Sequence, residues 1–279
     1  MPVIQSDVEP RLTARPERKL ATRFGLAFFI SQLGWAIPGS ASGILLQQLS
    51  ADVAGDEKVL VYATAGTIGA IVSSLAAVLW GLLSDRLHLR YGTRVPLIIG
   101  GSILAGLSIA GTAFVDSPTG IILAVALYQL GLGAMTGSFS AVMADYVDSA
   151  LLGRVSAAAG MGVLLGQMIG GVVGGALVEN VQLGFLIVSW TLPAGALIAV
   201  SLLRRLRSQI PASVISDELQ LAAASDVPAS TGRTRSWIIG DASFWWIFAG
   251  RALFFLALYM ATQYMLFIAT DYLGLLVNR

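Results

Sequence analysis

The chain has 279 residues, of which 56% are hydrophobic and only 12% charged, and its formal net charge is +1. A soluble domain uses about 25% charged residues to cover its surface, so half that share excludes an ordinary water-solvated globule. The near-neutral balance excludes a field that would gather nucleic acid, and the lack of cysteine excludes disulfides, thiolate metal sites and thiol catalysis.

The one histidine, His88, makes a histidine-based metal centre implausible. Residues 1–23 read as a polar tail carrying Arg11, Arg15, Arg18, Lys19 and Arg23. A membrane span needs about 20 mostly apolar residues to cross roughly 30 Å of hydrocarbon. The stretch 24–49 meets this, and it is too long for a secretory signal core. Further spans follow at 59–83, 95–115, 120–143, 155–178 and 181–203, joined by short polar connections. A longer, Ser-, Ala- and Pro-containing linker, 204–243, has the composition of a joint between two bundles. A seventh span at 244–270 comes next, and the chain ends where a hairpin partner for it is expected. The runs lack two-residue alternation and exceed the length of barrel strands. The fold class is therefore all-α, a membrane bundle of about seven spanning helices whose backbone polar groups are satisfied within each span.

Cations set the orientation. A cytoplasmic N-terminus puts fifteen of the seventeen Lys and Arg on the inner side and leaves only Lys58 and Arg279 outside. Between the second and third spans stand Gly81, Ser84, Asp85, Arg86, Arg90, Gly92, Arg94 and Pro96. A lone acid among cations at a helix end suits a latch, pairing with a cation in one conformation and releasing it in another. Between the fourth and fifth spans Asp145 and Arg154 repeat an acid–base pair.

The 81–96 segment resembles the signature loop of the major facilitator superfamily, which places Gly, Asp-Arg and a Gly-Arg basic cluster between helices 2 and 3. Five residues, 87–91, separate Arg86 from Gly92 where one is usual. The excess is about one helical turn and is similar to the longer loop of the glycoside- and sucrose-type cation symporters. Thr93 departs from the usual basic residue. The Ala144-Asp145-Tyr146 and Gly153-Arg154 elements are similar to the superfamily's motif between helices 4 and 5. The resemblance implies an N-terminal six-helix bundle at 24–203, the linker, and the first helix of an incomplete C-terminal bundle at 244–279. It also implies that Asp85, Asp145 and Arg154 form an ion-pair cluster that holds one of two access states.

The fifth span carries Gly160, Gly162, Gly166, Gly170, Gly171, Gly174 and Gly175. Small residues four apart let helices approach closely where lipid offers no hydrophobic drive for pairing. The run also resembles the helix-5 glycine motif of superfamily antiporters, with Gly171 where that motif has proline. Polar side chains inside spans face a cavity or a neighbour, which makes Gln32, Trp35, Gln129, Gln167, Gln263 and Tyr264 the candidate substrate contacts. Amides and aromatic faces suit a neutral hydroxylated ligand such as a sugar; the same amides also serve as glue between helices. Trp80, Trp237, Trp245 and Trp246 fit the interfacial aromatic belt.

The expected function is secondary transport of a small solute across a cell membrane by alternating access, without enzymatic activity and without a cofactor. The first six spans hold no charged residue at mid-depth, so coupling to H+ or Na+ is implied by the resemblance alone. Expected partners are the lipid bilayer and the solute, with no nucleic acid; a full-length relative would add the C-terminal bundle. Two alternatives remain open: a drug/proton antiporter of the same superfamily, and a non-transporting membrane assembly protein on this scaffold.

Overall fold

The computed structural model describes residues 14–91, 93–147 and 149–207, together with positions 245, 246, 249, 250, 253, 264 and 268. The start of the tail, Gly92, Gln263, and most of the linker and of the seventh span lie outside these residues. Among the described residues the chain is helical: α1 (Ala14–Ala54), α2 (Lys58–Tyr91), α3 (Val95–Thr112), α4 (Pro118–Tyr146), α5 (Ser149–Ala176), α6 (Val181–Ser189) and α7 (Thr191–Arg207). Among the described residues, five helical stretches are long and apolar enough to cross a membrane. The first, Thr22–His88, reverses at Gly55, whose φ of 53° lies in the left-handed region that glycine adopts without strain. The reversal lets Gln47 on α1 hydrogen-bond Tyr62 on α2, so this stretch supplies two passes.

Local chemistry sets the other ends. Ser117 caps α4 by accepting from the Gly120 amide at 3.2 Å, and Pro118 occupies the first turn, where a missing N–H costs nothing. Asn180 accepts from the Leu183 amide at 3.1 Å and starts α6. The stretch expected as one sixth span is broken into α6 and α7 because Pro193 has no N–H for the Ser189 carbonyl four residues earlier. α3 packs into this break: a Cβ on Gly106 would lie 3.0 Å from the Ser189 carbonyl oxygen and 3.3 Å from Pro193 Cδ.

Glycine seams hold the bundle together. On α5, Gly162, Gly166 and Gly174 face α1, where an added Cβ would come within 2.5 Å of the Phe29 oxygen, 2.6 Å of Ala36 Cβ and 2.9 Å of Ala41 Cα. Gly170 lies on the same face against Ile37, whereas Gly160 and Gly175 look into open space. α1 crosses α7 at Gly34 and Gly195, and α3 crosses α4 at Gly101 and Gly131. The core between these seams is apolar, with Phe28, Leu45, Ile98, Met135, Phe185 and Leu192 almost fully buried. Leu75, Val78, Leu107, Met168 and Val172 stay well exposed, the inversion expected of a bundle solvated by lipid. Trp80 does more than sit in an interfacial belt: its indole N–H donates to the Leu130 carbonyl at 2.9 Å, fastening α2 to α4.

Candidate functional site

α2 and α4 end, and α3 begins, on one face of the bundle. A carboxylate near a helix C-terminus meets the negative end of the helix dipole, and both Asp85 and Asp145 lie toward such ends. Arg94, at the N-cap position of α3, answers both. Its Nη1 donates to Asp85 Oδ1 at 2.8 Å and to Ser84 Oγ at 2.8 Å, while its Nε donates to Asp145 Oδ2 at 3.0 Å. The Arg94 side chain is only 9% exposed, against 66% for Asp85 and 34% for Asp145. Burial pulls the Arg94 pKa down, but the hydrogen bond to Asp85 and the charge of Asp145 outweigh this and hold it above the usual arginine value.

The resemblance implied a cluster of Asp85, Asp145 and Arg154, with Arg94 among the other gate candidates; the residue that bridges both carboxylates is Arg94. Arg154 is close to Asp145 in sequence but exposed on α5, whereas Arg94 reaches both carboxylates from the N-cap of α3. Arg86 and Arg90 are exposed on the last turns of α2. Gly81, expected to permit close helix approach, is exposed, and a Cβ there would meet nothing within 4 Å. Ser84, named in the 81–96 segment without a role of its own, is 2% exposed and joins the cluster through Arg94.

The membrane-embedded candidates separate into three places. Gln32 and Trp35 pair with each other on α1, the indole N–H donating to the amide oxygen, and Gln32 packs where α5 has Gly162. Gln167 is exposed on α5 beside Met168. Gln129 and Tyr264 line a cleft of about 820 Å³ formed mainly by α1, α2 and α4. This cleft lies in the half of the bundle nearer the Gly55 reversal than the Arg94 cluster. Gly69 on α2 leaves room for the Gln129 side chain, since a Cβ there would meet Gln129 Cγ at 3.3 Å.

Tyr62 and Tyr128 also line the cleft. Tyr62 meets Tyr264 edge to face, with centroids 5.6 Å apart and planes at 76°, a favoured arrangement for two rings. Three hydroxyls of the wall, those of Ser42, Thr67 and Ser74, donate to carbonyls of their own helices at 3.3, 2.9 and 2.9 Å, leaving their lone pairs for other donors. No charged side chain lines the cleft among the described residues. The sequence expectation took Tyr264 with the amides and passed over Tyr62 and Tyr128, although a phenol within a span is as much a polar handle as an amide. Among the described residues no group of three or more His, Asp or Glu is placed to hold a metal ion.

A family model described as the Major Facilitator Superfamily matches residues 24–277. No curated protein and no solved structure gives a match.

Proposed function

This chain belongs to the Major Facilitator Superfamily, a family of secondary membrane transporters, and on that premise we propose that it carries a small, neutral, hydroxylated solute of glycoside or sugar type. The cleft, whose described lining residues carry no charge, supports this reading, with Tyr62, Tyr128, Gln129 and Tyr264 on its walls. An ionic solute entering such a cleft would lose its hydration without a countercharge. A sugar offers hydroxyls to the amide and phenols, and C–H faces to the rings. Transport proceeds by alternating access, the two sides of the cleft opening in turn. The Arg94 cluster ties α2, α3 and α4 together at the basic face and favours the state in which that face is closed. Breaking a partly buried ion pair leaves a charge uncompensated, so the equilibrium responds strongly to its removal.

The longer 81–96 loop supports a symporter of the glycoside/sucrose type, coupled to H+ or Na+ and resident in the cell membrane with its basic face in the cytoplasm. Reconstitution into liposomes tests the whole reading. Uptake of a radiolabelled methyl glucoside under an inward H+ or Na+ gradient is the expected result. Accumulation of lipophilic cations in place of glycosides would favour the antiporter alternative.

A further inference from the structure

Beneath the Arg94 cluster lies a small cavity of about 100 Å³, walled by Phe24 of α1, His88 of α2, Arg94, Asp145 of α4 and Arg204 of α7. The Nδ1 atom of His88 is buried there without a hydrogen-bond partner. Buried polar atoms in folded proteins are nearly always paired, so an orphan calls for a reason. His88 is the only histidine of the chain and stands in the last turn of α2, where the helix dipole favours a cation. Imidazole is the side chain whose ordinary ionisation falls between pH 5 and 8.

The charges around the ring come from several elements. Asp145 faces the cavity from α4, Arg94 from the start of α3 and Arg204 from α7, while α1 contributes apolar Phe24, preceded in sequence by exposed Arg23. Its own helix carries Asp85, Arg86 and Arg90. We infer that His88 is a proton-binding site that loosens the Arg94–Asp145 contact when the basic face acidifies.

The neutral ring leaves the contact undisturbed. A proton taken from water gives the ring a second N–H, so that both nitrogens become donors. The carboxylate within this cavity is Asp145, which already accepts from Arg94 Nε. The new cation draws on that carboxylate and repels the guanidiniums of Arg94 and Arg204. Both effects weaken the hold of α3 on α4. The charge bias of the chain assigns this face to the cytoplasm, so the site reads cytoplasmic pH.

The composition makes the test direct. One histidine gives a single imidazole signal in full-length protein labelled with ¹⁵N-histidine in lipid nanodiscs. The absence of cysteine leaves a clean background for spin labels at Gly100→Cys on α3 and Ser140→Cys on α4, the two helices that the contact joins. The population at the altered label distance should rise several-fold as the pH is lowered from 8 to 5, with a matching change in the ring signal. His88→Gln, or His88→Asn where the first variant does not insert, should hold the distance distribution at its high-pH form throughout. A ring signal that stays constant as the pH falls overturns the inference. So does a distance distribution that ignores the titration, or a full pH response in the histidine-free variants.

Discussion

Arg94 Nε lies 3.0 Å from Asp145 Oδ2, a contact that joins residues 51 positions apart and ties the first turn of α3 to the last turn of α4. The same side chain reaches Asp85 through Nη1, but the two carboxylates are unequally sheltered. Asp85 is 66% exposed and Asp145 34%. A well-exposed ion pair contributes roughly 0–1 kcal/mol after screening. The more sheltered, charge-assisted bond to Asp145 contributes about 1–2 kcal/mol. Asp145→Asn should therefore lower the thermal midpoint in detergent more than Asp85→Asn, and slow uptake more. Equal losses for the two variants would mean that exposure does not govern the cluster.

Arg94→Lys tests geometry instead of charge. The guanidinium uses two different nitrogens to reach carboxylates on two helices, whereas an ammonium is a single point charge on a flexible stem. The lysine variant should keep one contact and lose the other, reducing uptake while inserting normally into the membrane. Uptake at the level of the unaltered protein would show that charge alone suffices.

Much of this architecture is written in the sequence, for reasons that differ by element. Span lengths are legible because hydrocarbon demands about 20 apolar residues whatever the fold. The α5 seam is legible because Gly162, Gly166, Gly170 and Gly174 recur every four residues, and that spacing occupies one helix face. The break between α6 and α7 is less so: Pro193 sits inside an unbroken apolar run, and hydropathy does not register a missing N–H. The choice of Arg94 over Arg154 depends on the direction in which a loop side chain leaves the backbone, which spacing does not encode. The cleft wall is legible only in part, since Tyr62 and Tyr128 have the same composition signal as any packed aromatic until neighbouring helices are placed beside them.

The α5 seam yields a contrast within one helix. A Cβ at Gly166 would come within 2.6 Å of Ala36 Cβ, while one at Gly160 would meet nothing within 4 Å. Overpacking a tight contact costs about 1–3 kcal/mol. Gly166→Val should lower the thermal midpoint by several degrees, and Gly160→Val should leave it nearly unchanged. Similar losses at both positions would count against the packing of α5 on α1 through this face.

Trp80 offers a single-bond test. Its indole donates to the Leu130 carbonyl across the α2–α4 contact, and interhelical hydrogen bonds within membranes average about 0.6 kcal/mol. Trp80→Phe keeps most of the ring and removes the donor, so a small destabilisation is expected. Trp80→Ala also removes the apolar area beside Gly133, whose Cβ position lies 3.7 Å from Trp80 Cδ1, and should cost several times more. A phenylalanine variant as damaged as the alanine one would assign the role to the hydrogen bond instead of the ring.

The last contrast separates the cleft from the lipid-facing surface. Gln129 lines the cleft with Tyr62, Tyr128 and Tyr264, whereas Gln167 is exposed on α5 among apolar neighbours. Both are amides inside spans, and sequence alone gives them equal standing. If the cleft binds the solute, Gln129→Leu removes a hydrogen-bonding group from the site and should raise KM for glycoside uptake several-fold, the equivalent of about 1 kcal/mol or more. Gln167→Leu replaces an amide with a side chain that lipid solvates better, and should leave KM and the maximal rate unchanged. Tyr128→Phe provides the intermediate case, keeping the ring that stacks on the sugar and losing only its hydroxyl. A larger effect at Gln167 than at Gln129 would move the binding site to the α5 face and leave the cleft as a gap between helices.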